Sequence, residues 1–263
     1  MKTLDYILKG FFFVFSGFVF TKILGYVYSI IVARLGAVNY GIFNLVNIAL
    51  EIFLMVSLIG LNEGIVRYIS FYQGKKDNVM LNRTLSTALV APFAISILLT
   101  VAVFLSSDYI ATTLFHNKDF GIVLKYAILV LPLLTIYRIM VPALRGFKAI
   151  KYWMYTNDIW KSLSQFIIGA FLIYLGFGLF GAIAGVVGSI LVSLGFAFYY
   201  LRKTFKFRIV AAIDKEIMIF SYPLLFTNVL ILIKDWLSTL LIGYFIGVES
   251  VGIYSVAVLT ARL

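Results

Sequence analysis

Two short stretches of the sequence resemble each other, LGAVNYGIF at residues 35–43 and IGVESVGIY at residues 246–254. Both contain the pattern Gly-x-x-x-x-Gly-Ile-aromatic, and one offset of 211 positions relates Gly36 to Gly247 and Gly41 to Gly252. Each stretch lies between two long apolar segments, so each is expected to form a turn between two helices. The sequence therefore contains an internal repeat of a helix–turn–helix unit.

The composition around this repeat is typical of a membrane protein. Of the 263 residues, 63% are apolar and 13% are charged, whereas a soluble domain is roughly half apolar and about a quarter charged. A helix needs about 20 mostly apolar residues to cross a bilayer. This criterion predicts six complete spans, a seventh, and an eighth that begins near Val251. The predicted spans are 11–33, 40–66, 85–105, 120–144, 155–176, 179–201 and 217–247.

The predicted fold is an all-α polytopic membrane protein made of a six-helix transmembrane bundle and the first one to two helices of a second bundle. The first bundle covers residues 1–201, a basic cytoplasmic linker covers 202–216, and the second bundle starts at 217–263. Six spans separate the two repeat copies, so both copies enter the membrane in the same direction. This is a parallel repeat, which in transporters places a central cavity between two halves. We therefore interpret the chain as the front part of a longer protein.

The distribution of Lys and Arg predicts the orientation in the membrane. One side of the predicted topology carries fourteen of the 22 Lys and Arg residues, and the other side carries only Arg34 and Lys118. The amino terminus is therefore expected in the cytoplasm, in the cell (inner or plasma) membrane. The same asymmetry explains most of the net charge of +11, so nucleic acid is not expected as a partner. The fourteen are Lys2, Lys9, Arg67, Lys75, Lys76, Arg83, Arg145, Lys148, Lys151, Arg202, Lys203, Lys206, Arg208 and Lys215.

Signatures of enzymes and of cofactor sites are absent from the sequence. The chain has no cysteine, and His116 is its one histidine, so the usual clusters of transition-metal ligands are not available. There is no P-loop and no dinucleotide-binding glycine pattern. We therefore expect no enzyme, no catalytic residue, no metal site, no cofactor and no ATP-driven pump. A membrane-embedded glycan-transferring enzyme is disfavoured because the outer loops carry only Asp108, Asp119 and Glu249 as acidic residues.

Several short motifs resemble those of one superfamily of transporters. They are ARLG (33–36) with YGIF (40–43), GLNEGIVRYI (60–69), LRG (144–146) and YP (222–223). In these the chain resembles the multidrug/oligosaccharidyl-lipid/polysaccharide flippase superfamily, and within it the Wzx-like polysaccharide (O-antigen) flippases. The resemblance implies two helical bundles that move a polyprenyl-diphosphate-linked glycan from the cytoplasmic to the outer leaflet. Its implied partners are that lipid-linked glycan, membrane lipids and the second bundle.

Charged side chains within the predicted spans are the candidate site residues, because a charge at bilayer depth costs at least about 2.5 kcal/mol and marks a functional site by default. Lys22 lies near the middle of the first span, and Lys234 and Asp235 lie near the middle of the seventh. In repeat register Lys234 falls one position from Lys22, so both halves place a lysine at nearly the same depth. We predict that these residues line a hydrated cationic cavity, where the lysines pair with the diphosphate.

The second span adds a polar stripe of Asn44, Asn47 and Glu51 at i, i+3 and i+7, which shares one helix face. The asparagines are candidates for hydrogen bonds to sugar hydroxyls. A purely structural interpretation stays open, in which Lys22 pairs with Glu51 and Lys234 with Asp235. Since adjacent residues of a helix do not face each other, separate partners are expected for Lys234 and Asp235.

Other charges are assigned mainly structural roles. Glu63 and Arg67 have the i, i+4 spacing of a helix-end ion pair. Asp158 and Lys161 lie near the start of the fifth span and are expected to cap it. Arg138 lies near enough to the end of the fourth span to reach the membrane surface, and it is the one of these residues that we add to the candidate cavity.

Two other functions remain possible at this point. One is a cation-coupled exporter of drugs or metabolites from the same superfamily, which would need a carboxylate as its ion or proton site, with Glu51 as the main candidate. The other is an inactive, shortened chain, for which the length is the whole argument.

Overall fold

The computed structural model describes residues 2–210 and 213–261, and in the first helix it describes the side chains of residue 15 and of residues 17 onward. The side chains of Lys2 and Lys9 lie outside this part. The described residues confirm the predicted all-helical class with eleven α-helices. The helices are α1 (Lys2–Ala33), α2 (Ala37–Leu58), α3 (Leu61–Lys75), α4 (Asn78–Leu114), α5 (Lys118–Ala127), α6 (Leu131–Gly146), α7 (Ile150–Met154), α8 (Lys161–Leu172), α9 (Gly178–Thr204), α10 (Lys215–Phe245) and α11 (Val248–Ala261).

Five continuous helical stretches in the described part are long and apolar enough to cross a membrane. They are Ala37–Leu58, Asn78–Leu114, Lys118–Gly146, Ile150–Thr204 and Lys215–Phe245. The stretch Ile150–Thr204 contains both the fifth and the sixth predicted spans, and a kink at Gly176, where φ is 89°, separates the two. Two shorter apolar helices, Gly17–Ala33 and Val248–Ala261, complete the set.

The predicted second span, 40–66, is wrong as a single helix. Ile59 and Gly60 adopt left-handed conformations with φ of 47° and 74°, which end α2 and allow α3 to start in a new direction. A Cβ atom on Gly60 would lie only 2.3 Å from the carbonyl oxygen of Ser221 in α10. The close passage of α10 therefore requires glycine where the helix turns. The first span also differs, since α1 begins at Lys2 rather than at residue 11.

Glycines allow α1 to pack closely against the hairpin formed by α8 and α9. A Cβ atom on Gly185 would lie 2.6 Å from the Cα of Gly169, and one on Gly169 would lie 2.5 Å from the ring of Tyr28. The hydroxyl of Tyr28 donates a hydrogen bond of 2.8 Å to the carbonyl oxygen of Ala182. This contact fixes the rotation of α1 about its axis and thereby the direction of Lys22.

The helices run between two ends of the molecule. A linker of residues 205–214 joins α9 to α10 at one end, which we call the linker end. The two turns of the repeat, 34–36 and 246–247, lie at the opposite end, which we call the far end. The observed linker is shorter than the predicted 202–216 segment because α9 continues to Thr204 and α10 begins at Lys215. Residues 211 and 212 of that segment lie outside the described residues.

At the far end, α2 and α11 cross through their glycines. A Cβ atom on Gly41 would lie 2.0 Å from the carbonyl oxygen of Val248, and one on Gly252 would lie 2.0 Å from the carbonyl oxygen of Ala37. The offset of 211 relates Ala37 to Val248 and Gly41 to Gly252, so each approach is the image of the other. Such reciprocity is the mark of a two-fold contact, and we call it the far-end contact.

At the linker end, the glycines of α3 meet α10. A Cβ atom on Gly64 would lie 2.0 Å from the hydroxyl oxygen of Ser221, next to the close approach at Gly60 described above. Beside them, the guanidinium of Arg67 lies 4.2 Å from the ring centre of Phe220. The predicted Glu63–Arg67 ion pair is therefore wrong, and Glu63 instead lies 3.4 Å from Arg145. We call the approach of Gly60 and Gly64 to Ser221 the linker-end contact.

Hydrogen bonds attach the linker to the first half around this contact. The buried Asp214 accepts a bond of 2.6 Å from the hydroxyl of Thr84 and caps α10 through the N–H of Glu216, at 3.1 Å. The side chain of Arg83 donates to the carbonyl oxygen of Ile213 at 2.9 Å. The start of α10 is thus fastened to the start of α4.

Candidate functional site

A cavity of about 840 Å³ lies between α1, α2 and α8 on one side and α10 and α11 on the other. Four of the predicted site residues line it: Lys22, Asn44, Lys234 and Asp235. Most of the other lining side chains are polar or aromatic. They include Thr21, Tyr26, Ser29, Tyr40, Ser162, Trp236, Ser238, Thr239, Tyr254 and Ser255. We call this space the large cavity.

The charged lining of the large cavity carries an excess of one positive charge. The ammonium of Lys22 lies 5.4 Å from the ring centre of Phe18, and among the described side chains it forms no ion pair with a carboxylate. Lys234 and Asp235 do pair with each other, at 3.6 Å, so the expectation of separate partners is wrong. Their Cα atoms are adjacent, but the long lysine side chain bends back to its neighbour. The side chain of Lys234 remains 75% exposed.

A smaller cavity of about 230 Å³ adjoins the large one, and Trp236 lines both. Two of the predicted site residues, Glu51 and Arg138, line it and form an ion pair with each other. The structural alternative that paired Glu51 with Lys22 is therefore wrong. The remaining lining residues are Leu54, Met55, Leu58, Asn62, Asn228, Ile231, Leu232 and Trp236. We call this space the small cavity.

Arg138 lies in a group of charges that sequence reasoning treated as unrelated. Lys161 is within electrostatic reach of Arg138, Glu51 and Asp158. Its ammonium also lies 5.8 Å from the ring centre of Tyr137, inside the first bundle. The prediction that Lys161 caps a helix start is wrong, because the helix continues through a π-helical segment, Tyr155–Trp160, without ending there.

The asparagines of α2 have different positions. Asn44 lines the large cavity, and its side-chain amide donates a hydrogen bond of 2.8 Å to the carbonyl oxygen of Tyr40. Asn47 donates a hydrogen bond of 2.7 Å to the carbonyl oxygen of Phe43, and it is not part of the lining of either cavity. The polar stripe therefore divides, with Asn44 facing the large cavity and Glu51 facing the small one.

Sequence reasoning missed Asn62, Asn228 and Trp236, which line the small cavity. Asn228 and Trp236 are eight positions apart on α10, so their directions differ by about 80° around the helix axis and both can face one cavity. Both lie close in sequence to Lys234 and Asp235, on a span with few polar residues. That position was the signal that could have identified them as cavity residues. Asn62 carried no such signal, because its place depends on the break between α2 and α3.

Comparisons with known proteins agree with this architecture. The sequence matches the family described as "Polysaccharide biosynthesis protein" over residues 7–263, and no curated protein matches it. A solved structure described as "Inward-facing conformation of a multidrug resistance MATE family transporter of the MOP superfamily" shares the fold, with a TM-score of 0.73 at 17% sequence identity. The alignment covers 89% of this chain and 56% of that one, so the chain spans little more than half of that structure. The resemblance noted in the sequence is confirmed, and the chain belongs to the polysaccharide biosynthesis protein family.

Proposed function

We propose that the chain forms the first bundle and the start of the second bundle of a flippase for a lipid-linked glycan. In this proposal the substrate is a polyprenyl-diphosphate-linked oligosaccharide or polysaccharide precursor, which crosses from the cytoplasmic to the outer leaflet during synthesis of a cell-surface polysaccharide. The observation that carries the proposal is the meeting of Lys22 and Lys234, one from each half, in the lining of the large cavity.

A cationic cavity suits the diphosphate of such a substrate. Lysine pairs with phosphate oxygens as a point charge, and the excess positive charge of the lining favours an anion over a neutral drug. Lys234 is well exposed to the cavity, and its present partner Asp235 is an adjacent residue that does not bury it. Asn44, Ser238 and Ser255 add polar groups to the lining, while the polyprenyl tail stays in lipid.

The proposed orientation places the linker end in the cytoplasm, because the positively charged loops gather there. The far-end contact then lies toward the outer leaflet and closes the cavity on that side. In the proposed alternating-access mechanism the two halves rock. The far-end contact separates to release the substrate, and the linker-end contact, which the hydrogen bonds of the linker surround, stays together as the pivot.

The alternative of a cation-coupled exporter depends on Glu51. Because Glu51 pairs with Arg138, a positive charge already occupies the place of the ion that the exporter would couple to. We therefore favour the flippase. Glu51→Gln should lower transport less than the loss of the cavity lysines does, and the reverse order would favour the exporter.

The test is transport of a fluorescent lipid-linked oligosaccharide by the full-length protein in liposomes. Replacing both Lys22 and Lys234 with Ala should lower the rate at least about tenfold, since loss of a charge-assisted bond costs roughly 1.5–3 kcal/mol. Lys125→Ala is the matched control, because Lys125 lies outside both cavities and pairs weakly, at 4.0 Å, with Asp108. Wild-type flipping by the double variant would remove the lysines from the mechanism.

A further inference from the structure

The two adjoining cavities differ in charge. The large cavity carries the positive excess of Lys22 and Lys234 over Asp235, whereas the small cavity holds one carboxylate and one guanidinium that neutralise each other. An anion in the small cavity would meet the half-exposed carboxylate of Glu51, and a cation would meet Arg138. The small cavity therefore suits a ligand that is neutral and polar.

Hydrogen-bonding groups in the small cavity remain available to such a ligand. The amides of Asn62 and Asn228 and the guanidinium of Arg138 belong to the lining of this cavity. Asn62 Oδ1 and Arg138 Nε have no hydrogen-bond partner among the described residues, but both atoms are closed to solvent here. The requirement on the ligand therefore comes from the polar lining as a whole, which favours a group that can both donate and accept. A hydroxyl group meets that requirement, and Asn228 adds an amide on the opposite wall, from α10.

The volume and the apolar walls of the small cavity limit the kind of ligand further. The volume of about 230 Å³ is below the roughly 300–1,000 Å³ of sites for drug-sized ligands, so there is room for about one ring. Trp236 offers an indole face at the junction of the two cavities, and large aromatic faces pack against the apolar C–H face of a sugar ring. The remaining apolar wall consists of Leu54, Met55, Leu58, Ile231 and Leu232.

We propose that the small cavity binds one sugar ring of the glycan, while the large cavity binds the diphosphate beside it. Trp236 lies between the two groups, next to Asp235 and Lys234 in sequence, so one segment of α10 contacts both parts of the substrate. This inference rests on the proposed flippase function and assigns a separate place to each part of the ligand.

The test compares probes with and without a sugar on the full-length protein in lipid nanodiscs. The probes are farnesyl diphosphate and its conjugates with one glucose, one galactose or one N-acetylglucosamine, measured by isothermal titration. At least one conjugate should bind about tenfold more tightly than farnesyl diphosphate, as one to two added hydrogen bonds provide. Trp236→Ala should abolish this advantage, so that the conjugates bind the variant no more tightly than farnesyl diphosphate does.

Two further variants separate the two sites. Lys234→Ala should weaken all four probes together, since the diphosphate is common to them. Trp153→Ala is the matched control for the loss of an indole, because Trp153 packs in the first bundle outside both cavities. Thermal unfolding of each variant verifies that it is folded.

The possible results distinguish the two proposals. If all conjugates bind no better than farnesyl diphosphate, or if Trp236→Ala weakens every probe equally, the sugar site is overturned and the flippase proposal stands. If no probe binds at all, both proposals fail.

Discussion

The far-end and linker-end contacts both join the last two helices, α10 and α11, to earlier helices of the chain, but by different means. At the far end, two helices cross through reciprocal glycines, and among the described residues no hydrogen bond or ion pair links α2 to α11. At the linker end, the glycines of α3 meet one serine of α10, and buried hydrogen bonds around Asp214 fasten the linker to α4. A contact made by packing alone can separate without leaving polar groups unpaired. When hydrogen-bonded groups separate, their donors and acceptors lose their partners, which costs free energy. This difference is why we assign the gate to the far end and the pivot to the linker end.

The largest expected loss of stability comes from substitutions at the far-end contact. Gly41→Ala places a methyl group against a backbone carbonyl that cannot rotate away, so the helices must move apart. We expect the free energy of unfolding to fall by about 3 kcal/mol. Gly252→Ala should cost the same, because its approach is the image of the first. The double variant should cost little more than either single one, since one separation relieves both clashes.

Thermal unfolding of the full-length protein in detergent measures these costs. Gly195→Ala is the control, because a Cβ atom there meets nothing within 4 Å. Unequal single effects or a fully additive double variant would show that the contact is not reciprocal.

The next effect concerns the buried cap of the pivot. Asp214→Ala removes the bond from Thr84 and the cap of α10 together, and we expect a loss of about 2 kcal/mol. Asp77→Ala is the matched control, because Asp77 caps α4 through Val79 and Met80, and among the described residues its side chain makes no bond to the linker or to α10. That control should cost about 1 kcal/mol. Equal losses in the two variants would argue that the bond between linker and α4 adds nothing.

A smaller effect is expected where the linker-end contact meets a side chain rather than a backbone. Gly64→Ala pushes against the hydroxyl of Ser221, which can turn away, so the cost should be about 1 kcal/mol. Ser221→Ala removes that hydroxyl, which is buried without a hydrogen-bond partner in the described part, and should rescue Gly64→Ala. Gly74→Ala, with open space around it, serves as the neutral reference. A failure of rescue in thermal unfolding would mean that the backbones themselves collide.

The last effect is a pH dependence of the pivot, which is confined to strongly alkaline pH. Tyr72 lies in α3, outside the membrane-spanning stretches, and burial together with Asp214 and Glu216 raises its pKa to about 12. The unfolded chain would release this proton near its ordinary pKa of about 10, so the folded state binds more protons between these values. Stability should therefore fall as the pH rises from about 10 to 12. In Tyr72→Phe this part of the pH dependence should vanish from the thermal unfolding midpoint, and its persistence would assign it to other groups.

The sequence predicted the parts of this account that depend on local pattern. The repeat, the helical class and the presence of Lys22 and Lys234 in one cavity follow from apolar periodicity and a constant offset. The ion pair of Glu51 with Arg138 could not be predicted, because its partners are 87 positions apart and the choice depends on how α2 and α6 are rotated. The break at Ile59 and Gly60 was missed for a related reason, since the backbone of α10, which passes close to Gly60, lies about 160 positions away in the sequence.

The central claim is that the far-end contact opens during transport while the linker-end contact holds. Distances between pairs of spin labels on introduced cysteines test it directly; these 263 residues contain no native cysteine, and any elsewhere in the full-length protein is first replaced by serine. One pair joins the exposed Val38 and Glu249, which the repeat makes equivalent, and the other joins the exposed Phe71 and Ile219 beside the pivot. On addition of a lipid-linked oligosaccharide to the full-length protein in nanodiscs, the first pair should gain a longer distance and the second should keep a single one. Separation of the second pair with the first unchanged would contradict the account.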